Sequence, residues 1–280
     1  MEIDKICFAG EGHGGVVALK SLQQNFKQIE VISKDEEIIE LLRIEDCIVK
    51  SIENSSATLI VCTGYKSIIS KDTLKKKTII NTHPSLLPKY RGLHGLVWAM
   101  LNFEKELGFS IHLMNEKIDD GDIIEQYKIT YNGETSKEIM DKFDIYIENN
   151  LGRVVKQFIN KEITPIKQNI NRATWTPRRN IDDCIIDFNW NKKFIDIFFK
   201  ALVRPYPLPI LKVKDRLYEI NGYKFIEINY YTQKGRVVNI DNYDVYIKTK
   251  DGLLLVNRLI DFDTKKTYKA NNILKLGMRL

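Results

Sequence analysis

The chain opens on a short apolar run at Lys5–Ala9, followed by apolar positions at helical spacing over Val16–Gln24. A second run spans Gln28–Ser33. A helical stretch follows at Glu36–Leu42, then a strongly apolar run at Ala57–Thr63 and another at Lys77–Asn81. Strands alternating with helices in this way predict βαβ units and a parallel sheet. Gly95–Asn102 reads as a helix, with apolar Leu96, Val97, Ala99, Met100 and Leu101. The pattern then changes. Gly108–Asn115 alternates and Ile123–Ile129 is rich in β-formers, which predicts antiparallel strands. From Glu134 to about Asn160, Ile139, Phe143, Ile147, Leu151, Val154, Val155 and Phe158 recur at helical spacing and predict one long amphipathic helix.

Residues 161–190 read as an irregular connection containing Pro165, Trp175 and Pro177. A short helix at Phe194–Leu202 is stopped by Arg204–Pro205–Tyr206–Pro207. Strands follow at Ile210–Val213, Arg216–Ile220, Tyr223–Tyr230, Arg236–Ile240, Asp244–Thr249 and Leu253–Leu259, with turn signals such as Asp251–Gly252 between them. The expected architecture is α/β. A Rossmann-like domain with a mostly parallel sheet covers residues 1–190. A smaller domain at 191–280 carries a short helix and a β barrel or sandwich, OB-like in size.

Hydrophobic residues make up 44% of the 280 and charged residues 29%, as in ordinary soluble proteins. The longest apolar runs, such as Ala57–Cys62, fall far short of the roughly 20 residues of a membrane span. The start, MEIDKICFAG, carries acids and enters a strand at once, unlike a signal peptide. A cytoplasmic location and no membrane partner are therefore expected. Cys7, Cys47, Cys62 and Cys184 are scattered, with no C-x-x-C pair, and read as reduced thiols rather than metal ligands. The net charge of +6 permits nucleic-acid binding, but an anionic small substrate such as a nucleotide explains it equally well. The cluster at Lys75–Lys77 reads as a solvated face.

Three segments carry candidate chemistry. Gly10, Gly12 and Gly15 fit G-x-G-x-x-G between a strand and a helix, the setting in which backbone N–H groups cradle phosphate. A dinucleotide site also wants an acid at the end of the second strand. Asp35 lies one residue late, which weighs against NAD. The second segment, Asn81-Thr-His-Pro-Ser-Leu-Leu-Pro-Lys-Tyr-Arg-Gly-Leu-His-Gly95, follows a strand, so its polar groups lie at the carboxyl end of the sheet, where ligands bind. Asn81 and His83, two apart in extended chain, share a side. In the third, Asp119, Asp120 and Asp122 surround Gly121 without the spacing of a calcium loop.

Asn-x-His, Ser-Leu-Leu-Pro and Arg-Gly, with Ile118–Asp119–Asp120–Gly121–Asp122 downstream, resemble the 10-formyltetrahydrofolate-dependent formyltransferases. The likeness extends to Ile6–Leu22, Thr63–Ile69, Trp98–Ala99 with Glu104, Ile186–Trp190, Arg204–Pro207, Gly235–Val237 and Asp251–Leu254, nearly the whole chain. It implies Asn81, His83 and Asp119 as the catalytic trio. An amide and an imidazole stabilise an oxyanion and shuttle a proton, and a carboxylate orients the imidazole. It implies 10-formyltetrahydrofolate as co-substrate, with no metal, held along Tyr65, Lys66, Ser67 and Ile68, Ser85, Leu86 and Leu87, and Asn115, Glu116, Lys117 and Ile118.

For the acceptor it implies a pocket bordered by Gly12, His13, Gly14 and His94. Arg178, Arg179 and Arg204 are candidates for a diphosphate, and Trp175 or Tyr206 for stacking on a base. His112, in an alternating strand, reads as structural. The strands after residue 208 argue against a glycinamide ribonucleotide transformylase. Residues 23–50 lack the enlarged basic loop of methionyl-tRNA formyltransferases, and His83–Pro84–Ser85 and Gly92–Leu93–His94–Gly95 depart from their pattern. The expected acceptor is a nucleotide-linked amino-deoxysugar, such as dTDP-4-amino-4,6-dideoxyglucose. Initiator methionyl-tRNA is the alternative. No nucleic-acid partner is expected under the first reading, and a homodimer is left open.

Overall fold

The computed structural model describes residues 5–280. The chain divides into two compact units. The first runs to Ala99 and includes Glu104–Tyr131 and Glu138–Arg178; the second comprises Met100–Phe103, Asn132–Lys137 and Arg179–Leu280.

In the first unit, β1 (Lys5–Gly10), α1 (Gly12–Gln23), β2 (Gln28–Ile32), α2 (Glu36–Glu40), β3 (Cys47–Ile48), β4 (Leu59–Thr63), α3 (Lys71–Lys76) and β5 (Thr78–His83) form the alternating half. After them come β6 (Arg91–Gly92), α4 (Gly95–Leu101), β7 (Glu106–Leu113), β8 (Ile123–Thr130), α5 (Ser136–Ile159) and β9 (Trp175–Thr176). The seven-stranded sheet has the order β3-β2-β1-β4-β5-β7-β8. Its first five strands are parallel, and β7 and β8 are antiparallel.

Composition explains the burial. Ile6, Cys7, Phe8 and Ala9 of β1 and Leu59–Cys62 of β4 are buried throughout, as strands covered on both faces require. The edge strand β8 instead alternates in burial along much of its length. In α5, the predicted stripe from Ile139 to Val155 is buried. One helix left little trace in the sequence, and the first turn of another was hidden. The helix α3, Lys-Asp-Thr-Leu-Lys-Lys, has no apolar period and starts because Ser70 Oγ accepts from the Thr73 N–H. The helix α1 begins at Gly12, ahead of its apolar residues, where glycine hides the helical signal.

Strand order reverses between β1 and β4, which opens a crevice at their carboxyl ends. There the Glu11 N–H donates to Thr63 O (3.3 Å), and Lys66 Nζ pairs with Glu11 Oε2 (2.7 Å). Tyr65, Ile69 and Met114 all pack on one core cluster containing Cys7, Ala9, Ile60 and Ile79. The loops after β4 and β7 are thus neighbours.

The second unit contains α6 (Lys192–Ala201), β10 (Ile210–Val213), β11 (Arg216–Ile220), β12 (Tyr223–Glu227), β13 (Val237–Asp241), β14 (Asp244–Lys248), β15 (Gly252–Val256), β16 (Arg258–Asp261), β17 (Thr267–Lys269) and α7 (Ala270–Ile273). Its strands form two antiparallel four-stranded sheets, β10-β11-β16-β17 and β12-β15-β14-β13. The single strand expected at Leu253–Leu259 is two strands. The chain changes sheet at Asn257, between β15 and β16. The boundary expected at residue 190 also moves. Residues 179–190 belong to the second unit, because Cys184, Ile186 and Phe188 are buried and the Ile186 N–H donates to Ile210 O (2.9 Å).

Candidate active site

Asn81 and His83 are the fourth and last residues of β5, and the antiparallel register sets them opposite His112 and Ser110 of β7. Both His83 and His112 are buried. His83 Nε2 lies 2.8 Å from Tyr90 O. A carbonyl only accepts, so Nε2–H donates to it, and Nδ1 is the ring nitrogen left to exchange a proton. That nitrogen faces Asp119 Oδ2 at 3.5 Å.

His112 has the opposite tautomer. Its Nδ1–H donates to Leu113 O (2.8 Å), and its Nε2 accepts from the Asn81 amide at 3.3 Å. Burial pushes the His112 imidazole down to about 4, against the opposing pull of Asp119, so the ring is neutral near pH 7. A neutral acceptor at this place turns the Asn81 NH₂ group and leaves its second N–H for another acceptor. Asp119 lies between the rings, its Oδ1 3.6 Å from His112 Nε2.

Asp119 sits in the loop between β7 and β8 with a left-handed backbone (φ +50°). Its Oδ2 accepts from the Gly92 N–H at 2.8 Å. Gly95 allows the close packing: a Cβ there would lie 3.0 Å from Tyr90 O and 3.3 Å from His83 Nε2.

The glycine turn resolves differently from a phosphate cradle. The Gly12 N–H at the start of α1 already donates to Asp35 Oδ2 (2.7 Å), and Asp35 Oδ1 accepts from the Glu37 N–H at the start of α2. The acid that came one residue late in the sequence thus occupies the helix N-terminus with its own carboxylate. Gly12 and His13 are exposed and Gly14 is half-buried. His13 Nε2 lies 3.6 Å from Asp144 Oδ2.

Two matches to known families decide what this arrangement belongs to. The family described as formyl transferase matches residues 16–155, and formyl transferase, C-terminal domain, matches residues 180–276. The chain belongs to the formyl transferase family. It is 28% identical over 237 residues to the methionyl-tRNA formyltransferase of Clostridium novyi (strain NT), covering 84% of this chain and 76% of that one. Its fold is shared with an N-formyltransferase from Helicobacter canadensis, solved with folinic acid and dTDP-3-aminofucose. The TM-score is 0.71 at 20% identity, over 95% of this chain and 100% of that one. HypX from Aquifex aeolicus, solved with tetrahydrofolic acid, has a TM-score of 0.70 at 15% identity. This chain spans 47% of that protein's length.

In this formyltransferase the other expected residues fall into distinct groups. Ser67 and Ile68 are exposed, as are Asn115, Glu116, Lys117 and Ile118, while Tyr65 is half-buried. Ile68 is 99% exposed and Ile118 71%, so these neighbouring loops offer bare apolar surface of the kind a flat ring system covers. Asn115 Oδ1 accepts from the Lys117 N–H, and Glu116 pairs with Lys71. Ser85 and Leu87 point inward. Ser85 Oγ donates to Lys89 O, and the Leu87 N–H donates to Ser110 Oγ, so they build the loop. Leu86 packs over Gly108.

His94 is half-buried with φ +59°. Trp175 and Arg178 are exposed in the first unit. Arg179 and Arg204 lie in the second unit and are engaged there. Arg179 is buried and donates to Asp183 O and Cys184 Sγ; Arg204 pairs with the buried Glu219.

Sequence reasoning missed His112. Its alternation in β7 signalled a core position, and only the register opposite Asn81 reveals its part in the site. It also missed Gln168, which sits in the irregular connection and donates to Asp119 O and Gly121 O. Among the described residues, no cluster of three or more His, Cys, Asp or Glu side chains could hold a metal, and no helix is long and apolar enough to cross a membrane.

Proposed function

We propose that the protein transfers the formyl group of 10-formyltetrahydrofolate to the amine of a nucleotide-linked amino-deoxysugar, with Asn81, His83 and Asp119 as its catalytic residues. The observation that carries the chemistry is the half-buried Asn81 amide, oriented by His112, two residues from the ring nitrogen of His83 that faces Asp119. As the amine attacks the formyl carbon, the C=O electrons move onto oxygen, and the open N–H of Asn81 donates to that oxygen. The amine proton passes to His83 Nδ1, supported by Asp119, and returns to N10 of the folate as the carbon–nitrogen bond breaks. Exposed Ile68 and Ile118 suit the folate ring system.

Full-length agreement with the dTDP-3-aminofucose-bound fold supports the sugar acceptor, as do exposed Trp175 and Arg178, suited to a base and a phosphate. The identity with methionyl-tRNA formyltransferases favours initiator methionyl-tRNA as a second reading. A panel of dTDP-linked 3-amino and 4-amino sugars, run beside methionyl-tRNA with 10-formyltetrahydrofolate, tests the choice. The expected result is a product 28 mass units heavier from a sugar nucleotide and no formylated tRNA. Formylation of the tRNA alone would overturn it.

A further inference from the structure

Arg91 is 2% exposed, and all three nitrogens of its guanidinium have partners within the first unit. Nη1 pairs with Asp120 Oδ1 (2.5 Å), and Nε and Nη2 donate to Gln168 Oε1 (3.2 and 2.7 Å). The ring of Trp175 lies 5.7 Å from its Cζ. A buried guanidinium requires such partners, since an unpaired one is costly. Gln168 uses its amide equally fully. Its Nε2 donates to Asp119 O (2.8 Å) and Gly121 O (2.7 Å). Arg91 thus fixes which way the amide points, because a flipped Gln168 would set its NH₂ against the guanidinium.

The segment so held is an unusual one. Asp119 has a positive φ without being glycine, an uncommon conformation that aspartate tolerates better than most residues and that these bonds hold in place. Gly121 packs so closely that a Cβ would come within 1.8 Å of Leu113 O. The residue after Arg91, Gly92, supplies the N–H that holds the Asp119 carboxylate. One short strand, β6, therefore grips Asp119 from two sides: its carboxylate directly, and its backbone through Gln168.

We infer that Gln168, oriented by Arg91, is a positioning residue that sets Asp119 against His83 for the transfer step. The inference rests on the reading of Asp119 as catalytic. The arrangement leaves a specific signature. Gln168→Glu keeps the length of the side chain and an acceptor for Arg91, yet removes both donors to the Asp119–Gly121 backbone. A purely structural role would show as lost stability with the Gly92–Asp119 bond and turnover unchanged; a positioning role moves both.

The test measures two things in the full-length wild type and in Gln168→Glu, Gln168→Ala and Asp119→Asn. The first is hydrogen exchange of the Gly92 amide by NMR, which reads the Asp119 carboxylate without any substrate. The second is steady-state turnover with the acceptor that the wild type uses. In both Gln168 variants, Gly92 exchange is expected to speed up at least about tenfold. The Leu93 amide, bonded to Thr176 O, should keep its protection. Turnover should fall about 100-fold with KM for donor and acceptor within about twofold, as misplacement of a catalytic group does. Unchanged Gly92 exchange in Gln168→Glu overturns the positioning claim whatever the activity. Fast exchange with full turnover in both Gln168→Glu and Asp119→Asn would overturn the catalytic reading of Asp119 instead.

Discussion

Lowering the pH should destabilise this protein through His112 by an amount that can be worked from its site. His112 is 1% exposed, and burial takes its imidazole from an ordinary 6.5 to about 4. The unfolded chain therefore binds this proton more tightly than the folded one. The stability from a neutral His112 is present above pH 6.5, is lost as the pH falls toward 4, and changes little below that. With those two values, the loss between pH 7.5 and pH 5 is about 2 kcal/mol. Other carboxylates titrate in the same range, so the measurement is a difference. Urea unfolding of wild type and His112→Gln is followed at half-unit steps of pH. The variant has its own constant penalty for the lost fit, but no proton to bind at this position. The gap between the two proteins should narrow by about 2 kcal/mol from pH 7.5 to pH 5. A gap that stays constant within about 0.5 kcal/mol would refute the argument, because His112 would then titrate alike in both states.

Two further substitutions probe other parts of the structure. Gly95→Ala sets a methyl 3.3 Å from His83 Nε2 and 3.0 Å from Tyr90 O, tight against both partners of a 2.8 Å bond. Turnover should fall at least about tenfold while stability stays within about 1 kcal/mol, since alanine also favours the helix; unchanged kcat would contradict this. Glu30 is buried yet its carboxyl is held down to about 2. Burial opposes this, and hydrogen bonds from Lys5, Ser55 and Ser56 outweigh it. Glu30→Gln replaces an acceptor with donors facing donors and should cost about 2–3 kcal/mol in urea unfolding at pH 7, with the gap closing as the pH falls from 4.5 toward 2.

The alternating half of the first unit was readable because its buried strands and apolar helix faces follow simple periods. Asn81, His83 and Asp119 were expected together from motif resemblance, though no period or spacing could bring Asp119 to His83. That depends on a loop bent through a positive φ and held by Gln168, a residue with no local signature. His112 was hidden because a buried strand position looks the same whether its ring meets a methyl or an amide. The glycine turn shows the reverse. Its pattern was plain, but its occupant is Asp35, the residue that caps the start of α2. Arg179 and Arg204 looked free to bind phosphate because sequence does not show the partners within their own unit.

The central claim is that Asn81, His83 and Asp119 carry formyl transfer. Single-turnover transfer from 10-formyltetrahydrofolate, measured by rapid quench with saturating acceptor, tests it most directly. Asn81→Ala, His83→Ala and Asp119→Ala should each keep wild-type unfolding behaviour within about 2 kcal/mol and slow transfer by about 100-fold or more. Transfer at the wild-type rate in the His83 variant would contradict the account.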